Sequence, residues 1–166
     1  MTIGILSDTH GYLHPAITEE FAGVDLILHA GDIGSEDVLN ALEQLAPVQA
    51  VYGNVDGQAL RLRTAEHQRF DVEGLRFWMT HIAGRPGRWQ RNMGRALAQD
   101  PPDVFICGHS HILQVERVQH LEGMLFINPG AAGRQGFHQE KTCLRLRLRD
   151  GAIYEADVIH LDRSSE

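Results

Sequence analysis

The sequence predicts an α/β fold that begins with a β-α-β-α-β unit and a parallel sheet, then continues through antiparallel hairpins into a mixed sheet. Short apolar runs, helical periodicity between the first three of them, and turn dipeptides in the second half carry this prediction. Six runs read as buried strands: IGIL (3–6), DLILH (25–29), VQAVY (48–52), LRFWMT (75–80), DVFIC (103–107) and LFI (125–127). Rich in Val, Ile and Leu and bounded by Gly, Pro or Asp, they suit strands covered on both faces.

The intervening segments are helical in pattern. PAITEEFA places Pro15 in a first turn, and SEDVLNALEQL has Ser35 as an N-cap with Val38, Leu39, Leu42 and Leu45 on one face. Alternation of strand and helix of this kind gives a parallel sheet. Later, Glu73-Gly74, Glu122-Gly123 and Asp150-Gly151 mark turns. TCLRLRLRDG alternates Leu144, Leu146 and Leu148 with Arg145, Arg147 and Arg149, the period of a half-exposed antiparallel strand. With AIYEADVIHL it forms an expected sheet edge, open to pairing between subunits or to a monomer.

At 166 residues, without repeats or a Pro/Ser-rich linker, the chain is expected to be one domain over 1–166, with DRSSE as its frayed end. The N-terminal MTIGILSDTHG lacks a basic region followed by a long apolar one, so a cytoplasmic location and no membrane association are expected. A net charge of −7 opposes general nucleic-acid binding. Cys107 and Cys143 lie in apolar runs and read as reduced core thiols.

Chemistry collects where the apolar runs end. Asp8 and His10 follow the first run, Asp32 the second, Asn54 the third, His81 the fourth, and His109 and His111 the fifth. In open α/β sheets, ligands bind beyond the carboxyl ends of the strands. Each residue alone reads as well as a turn former or a satisfied core histidine; the ordered set reads as a site. Carboxylate, carboxamide and imidazole donors without thiolate suit divalent transition metals rather than calcium or a structural zinc. Seven donors exceed the need of one ion and suit two, with Asp32 in HAGDIG chosen as the bridge. In CGHSH, positions i and i+2 leave a strand in similar directions, so His109 and His111 would reach one crevice and serve different ions.

The ordered motifs GILSDTHG, ILHAGD, YGNVD, MTH, CGHSH and INPGA, spanning residues 1–133, resemble those of the calcineurin-like metallophosphoesterase superfamily, and among them its small bacterial and archaeal phosphodiesterases. The resemblance implies a four-layer α/β/β/α sandwich with two mixed β-sheets. It also implies that Asp8, His10 and His111 hold one metal, that Asn54, His81 and His109 hold the other, and that Asp32 bridges. Manganese is the expected metal, with iron, zinc and nickel as alternatives.

Three departures stand out. Val55 occupies the place after Asn54 where many members carry a histidine that protonates the leaving group; Asp56 beside it is ordinarily ionised at neutral pH. THIAGRPG lacks the glycine common after this histidine, and NPGA has Ala131 where the nearest group usually has Ser.

The expected reaction is hydrolysis of a small phosphate ester, a diester in preference to a monoester, by a metal-bridging hydroxide. GRPGRWQRNMGRALAQ carries four arginines and no acid. As a helix it would present Arg88, Arg91 and Arg95 on one face, either solvated or clamping phosphate, and Trp89, Met93 and Leu97 on the other. Arg88 and Arg134 are the candidate substrate contacts. His29 is expected to pack in its strand and bond a neighbour, His14 to be exposed, and His67, His120, His138 and His160 have no assigned place. Two other classes compete: a catalytically weak scaffold, as in the similarly folded small retromer subunit, and a metal-binding regulatory module.

Overall fold

A computed structural model describes residues 1–90 and 92–163. In chain order the elements are β1 (Thr2–Leu6), α1 (Ala16–Glu20), β2 (Leu26–His29), α2 (Glu36–Glu43), β3 (Val48–Ala50), α3 (Gln58–Arg63), β4 (His67–Val72), β5 (Leu75–Thr80), β6 (Gly84–Arg85), β7 (Arg88–Trp89), α4 (Met93–Gln99), β8 (Val104–Ile106), β9 (Gln114–Val118), β10 (Met124–Asn128), β11 (Thr142–Arg149) and β12 (Ala152–His160). All six apolar runs are strands. A 3-10 turn at Gln119–Leu121 precedes β10.

Two five-stranded sheets form the centre, in the orders β12-β11-β1-β2-β3 and β4-β5-β8-β10-β9. Both are mixed. In the first, β1, β2 and β3 run parallel while β11 and β12 are antiparallel additions. In the second, β5, β8 and β10 are parallel and flanked by antiparallel β4 and β9.

The pleat explains the apolar runs. Ile3, Ile5, Leu26 and Leu28 of one sheet meet Phe77, Met79, Val104 and Ile106 of the other in the central core. The alternate residues face outward and are also covered. Leu6 and Ile27 pack with Ile17, Leu39, Leu42 and Leu60 of α1, α2 and α3, while Trp78, Phe105 and Phe126 pack with Leu97 of α4. The layers are therefore α/β/β/α, as expected.

Local signals hold in part. Ser35 is the N-cap of α2 in extended conformation, without a side-chain capping bond. Glu73, Glu122 and Asp150 all take positive φ beside their glycines, as tight turns require. Leu144, Leu146 and Leu148 are buried while their arginine neighbours face outward. β11, however, is not an edge: it pairs with β1 on one side and β12 on the other, so β12 is the outer strand.

The arginine-rich helix is the main correction. Residues Gly84–Trp89 form a hairpin, with Gly84 opposite Trp89 and Arg85 opposite Arg88. Pro86-Gly87 makes its turn, Gly87 having φ +85°, a conformation Pro-Gly sequences favour and a helix forbids. Helix α4 starts only at Met93, so Arg88 and Arg95 share no helical face; Arg91 lies outside the described residues. Trp89 still packs inward, its ring centroid 5.6 Å from that of Phe126 and 6.0 Å from that of Phe105. Of DRSSE, residues 164–166 lie outside the described part. No helix among the described residues is long and apolar enough to cross a membrane.

Candidate metal centre

The carboxyl ends of β1, β2, β3, β5 and β8 meet at one end of the sandwich, joined by backbone bonds. The Asp8 N–H donates to Gly31 O at 2.9 Å, the His10 N–H to Asp32 O at 3.0 Å, and the Gly108 N–H to His81 O at 3.0 Å. These connections place all seven predicted donors around one crevice.

Two clusters result. Asp8, His10 and His111 form one; Asp32, His81 and His109 form the other, the donor atoms within each lying within 4.8 Å of one another. The Asn54 Oδ1 joins the second cluster, 3.1 Å from His109 Nδ1. Asp32 Oδ2 stands between them, 3.7 Å from His10 Nε2 and 3.2 Å from His81 Nε2. His111 Nε2 lies 3.1 Å from Asp8 Oδ1. Donors about 2.1 Å from a shared ion are separated by roughly 3–3.5 Å, close to these spacings.

The hydrogen bonds leave the inward atoms free. Asp8 Oδ2 accepts from the Ser7 hydroxyl at 2.6 Å and the His109 N–H at 3.1 Å, leaving Oδ1 to the crevice. Asp32 Oδ1 accepts from the Val55 N–H at 3.1 Å, leaving Oδ2. His81 Nδ1–H donates to Ala30 O at 2.7 Å, so its Nε2 lone pair points inward. Asp8 Oδ1, His10 Nε2 and His81 Nε2 are buried without a hydrogen-bond partner. Such orphans are costly unless a ligand completes them. The donor set, its spacing and its orphaned atoms therefore fit two divalent ions.

Five of the seven donors have an uncommon backbone conformation. Asp8, His10, Asp32, His109 and His111 all have φ between 47° and 72°, a left-handed region that costs an L-residue roughly 1–2 kcal/mol. Strain of this kind persists where surrounding contacts enforce it, commonly at functional sites. It also corrects the reason given for CGHSH. β8 ends at Ile106, so His109 and His111 diverge from left-handed loop positions rather than from a strand pleat. Gly108 is needed for space: a Cβ there would lie 2.2 Å from Ser7 Oγ and 2.6 Å from Asp8 Oδ2.

Electrostatics follow the geometry. Burial pushes the Asp8 carboxyl up, but the attraction of the neighbouring His10, His111 and His81 imidazoles and the bond from the Ser7 hydroxyl outweigh it and hold Asp8 well below the usual carboxylate range. Burial likewise opposes ionisation of Asp32, yet His81 and the Val55 N–H bring it below its ordinary value. His10 is raised by the neighbouring Asp8 carboxylate; His81 is raised because Asp32 and Asp8 overcome its burial.

A second set of buried groups braces the crevice. His29 Nδ1 accepts the Gly31 N–H at 3.1 Å, so Nε2 carries the proton and donates to Thr9 Oγ1 at 3.0 Å; Thr9 in turn donates to Ile33 O at 2.8 Å. Burial lowers the His29 pKa to about 4. Asp56 accepts from three backbone N–H groups, those of Ile33, Gly34 and Gly53, and so ties the Asp32 and Asn54 loops together. Its oxygens serve the backbone, and neighbouring Val55 is 53% exposed. Cys107 and Cys143 are free, buried thiols pushed up to about 12 by burial, as core residues should be.

Of the candidate substrate residues, Arg88 lies with Arg85, Gln90, Ile112 and Phe126 along a cleft of about 310 Å³ that begins at His109 and contains no carboxylate. Arg134 stacks its guanidinium 3.9 Å above the Tyr12 ring. His29 bonds its neighbours as expected. His14 is half-buried rather than exposed: its Nε2 lies 2.9 Å from Asp162 Oδ1, and its Nδ1 accepts the Ala16 N–H. The residues missed from sequence are Ser7, Arg61, which lines a cleft with Asn54 and His81, and His138, 3.2 Å from His111. Ser7 could have been found as the residue preceding the first ligand; Arg61 and His138 carry no local signal.

The calcineurin-like phosphoesterase superfamily domain matches residues 1–151, and the chain belongs to that superfamily of hydrolases. It is 38% identical over 167 residues to a probable metallophosphoesterase of Methanothermobacter thermautotrophicus, covering 96% of this chain and 92% of that one. It is 32% identical to a phosphodiesterase of Methanocaldococcus jannaschii over 78% of this chain and 83% of the relative. Among solved structures, that of an archaeal phosphodiesterase superposes with a TM-score of 0.75 at 28% identity, covering 96% of this chain and 99% of that one. Vps29 of Chaetomium thermophilum shares the fold with a TM-score of 0.76 at 14% identity over 96% of each chain.

Proposed function

We propose that this protein is a phosphodiesterase dependent on two divalent transition-metal ions, with manganese as the working metal, and that it acts on a small phosphate ester in the cytoplasm. The observation that carries this reading is the pair of donor clusters facing Asp32 Oδ2, with Asp8 Oδ1, His10 Nε2 and His81 Nε2 buried and unpartnered. The similarity to a named phosphodiesterase supports the diester over the monoester.

Asp8, His10 and His111 would hold one ion, Asn54, His81 and His109 the other, with Asp32 shared. Ions held there would supply a water nucleophile near neutral pH and charge to neutralise phosphoryl oxygens during in-line displacement. The protein's own contribution is orientation. Ser7 and the Val55 N–H fix the two carboxylates, and Ala30 O fixes the His81 tautomer. The leaving group would occupy the cleft from His109 to Phe126, with Arg88 at its wall; Arg134, stacked on Tyr12, is a second guanidinium suited to phosphate oxygens.

Val55 offers no proton where many relatives place a histidine, and the Asp56 oxygens are engaged by the backbone. Esters with acidic leaving groups should therefore be hydrolysed fastest. The test is hydrolysis of bis(p-nitrophenyl) phosphate against p-nitrophenyl phosphate with Mn²⁺, Asp32→Ala controlling for contaminants. Faster diester turnover, lost in the variant, is expected. Two bound ions without turnover of either ester would replace the enzyme with a metal-bearing scaffold.

A further inference from the structure

His138 lies 27 residues beyond His111, yet the Nδ1 atoms of the two rings are 3.2 Å apart and the rings meet edge to face at 77°. The other nitrogen, His138 Nε2, is 2.8 Å from Gly133 O. A carbonyl oxygen only accepts, so Nε2 carries the proton and donates. Neutral imidazole has one N–H, which leaves His138 Nδ1 as an acceptor. The proton in the contact between the rings must then be on His111 Nδ1. His111 Nε2 is thereby left as a lone pair, and it is this atom that lies 3.1 Å from Asp8 Oδ1.

We infer that His138 is a positioning residue that locks His111 into the tautomer and orientation needed to bind a metal through Nε2. This rests on the metal-centre reading above. His138 is not a ligand: its two nitrogens are committed to Gly133 O and to His111. Its loop is fixed to the same half of the site, since the Gly133 N–H donates to Asp8 O at 3.1 Å. The chain thus forms a closed circuit from the Asp8 backbone through Gly133, His138 and His111 to the Asp8 carboxylate.

A second observation supports close seating of this loop. A Cβ at Gly136 would fall 2.3 Å from His111 Nδ1 and 3.2 Å from His138 Nδ1, and Gly136 has φ +114°. The loop therefore packs on the ligand itself, and only glycine leaves room for the bond between the two imidazoles.

The test is calorimetric titration of metal-depleted protein with Co²⁺, together with the visible spectrum of the Co²⁺ complex. Wild type is expected to bind two ions. In His138→Phe, which keeps the ring and removes both hydrogen bonds, one ion should bind about 10–100-fold more weakly, the loss usual for a partner behind a ligating imidazole, and the other ion should be unaffected. His138→Asn restores an acceptor for His111 and a donor for Gly133 O, and should recover most of the affinity and the wild-type spectrum. Gly136→Ala leaves both imidazoles in the sequence but parts them, and should weaken the same ion; it serves if His138→Phe fails to fold. Wild-type affinity for both ions in His138→Phe or in Gly136→Ala would overturn the inference, as would equal weakening in the Phe and Asn variants. Binding of fewer than two ions by wild type would instead contradict the dinuclear reading.

Discussion

The two halves of the centre are built differently. The Asp8, His10 and His111 half is backed by side chains, with Ser7 behind Asp8 and His138 behind His111. The Asn54, His81 and His109 half relies on the backbone: Ala30 O fixes His81, while Asn54 and His109 are exposed and bond each other. Braced donors lose little freedom on binding, whereas exposed donors must be ordered by the ion. The first half is accordingly expected to hold its metal more tightly, and the second, which opens on the Arg88 cleft, to exchange it and receive substrate.

The largest effect should come from the residue the halves share. Asp32→Ala is expected to cost on the order of a thousandfold in diester turnover and to weaken both ions in a titration. Loss of one ion alone would show that the halves are independent.

Next comes the brace common to both. His29 reaches Thr9, between Asp8 and His10, and Gly31, just before Asp32. Its folded pKa of about 4 lies below the ordinary 6.5, so the unfolded chain takes up its proton first as pH falls. The stability is complete above pH 6.5 and declines toward pH 4, by about 2 kcal/mol between pH 7 and 5. Urea unfolding of metal-free protein should show this decline, reduced by that amount in His29→Gln. His10 and His81, whose pKa values are raised, act in the opposite sense, contributing stability that is lost as pH rises above 6.5. They are present in both proteins, so the difference isolates His29. An identical pH profile would exclude a buried neutral imidazole there.

Truncating one histidine of each half sharpens the contrast. Both His111→Ala and His109→Ala remove a donor outright and should weaken one ion by more than loss of an outer partner does, that is by more than about 100-fold. The first should convert the tighter site into the weaker one, and the second should widen the gap between them. The reverse pattern would assign the tighter ion to the exposed half. Smallest is Arg88→Ala, expected to raise KM for a diester about fivefold with little change in kcat, as loss of one uniform binding contact does. A fall in kcat alone would move Arg88 from binding to the transition state.

Much of this organisation can be read from the chain because the parallel strands are covered on both faces and so appear as continuous apolar runs ending at their ligands. The edge strands of the second sheet cannot be read that way. β4, as HQRFDV, exposes alternate residues, β9, as QVERV, exposes Val115, Glu116 and Arg117 in a row, and the two offer the core little more than Phe70, Val72 and Val118. The arginine segment misleads because arginine, methionine and alanine favour helix while Pro86-Gly87 fixes a turn; the turn prevails as Gly87 occupies a φ that a helix excludes. His138 is silent in sequence, since its meaning depends on a bond across 27 residues to His111.

The most direct test of the dinuclear centre is anomalous diffraction from crystals grown with Mn²⁺. Two peaks about 3.5–4 Å apart are predicted, with Asp32 between them, His111 Nε2 on one and His81 Nε2 on the other, and His138 on neither. A single peak, or peaks away from the ends of β1, β2, β5 and β8, would contradict the account.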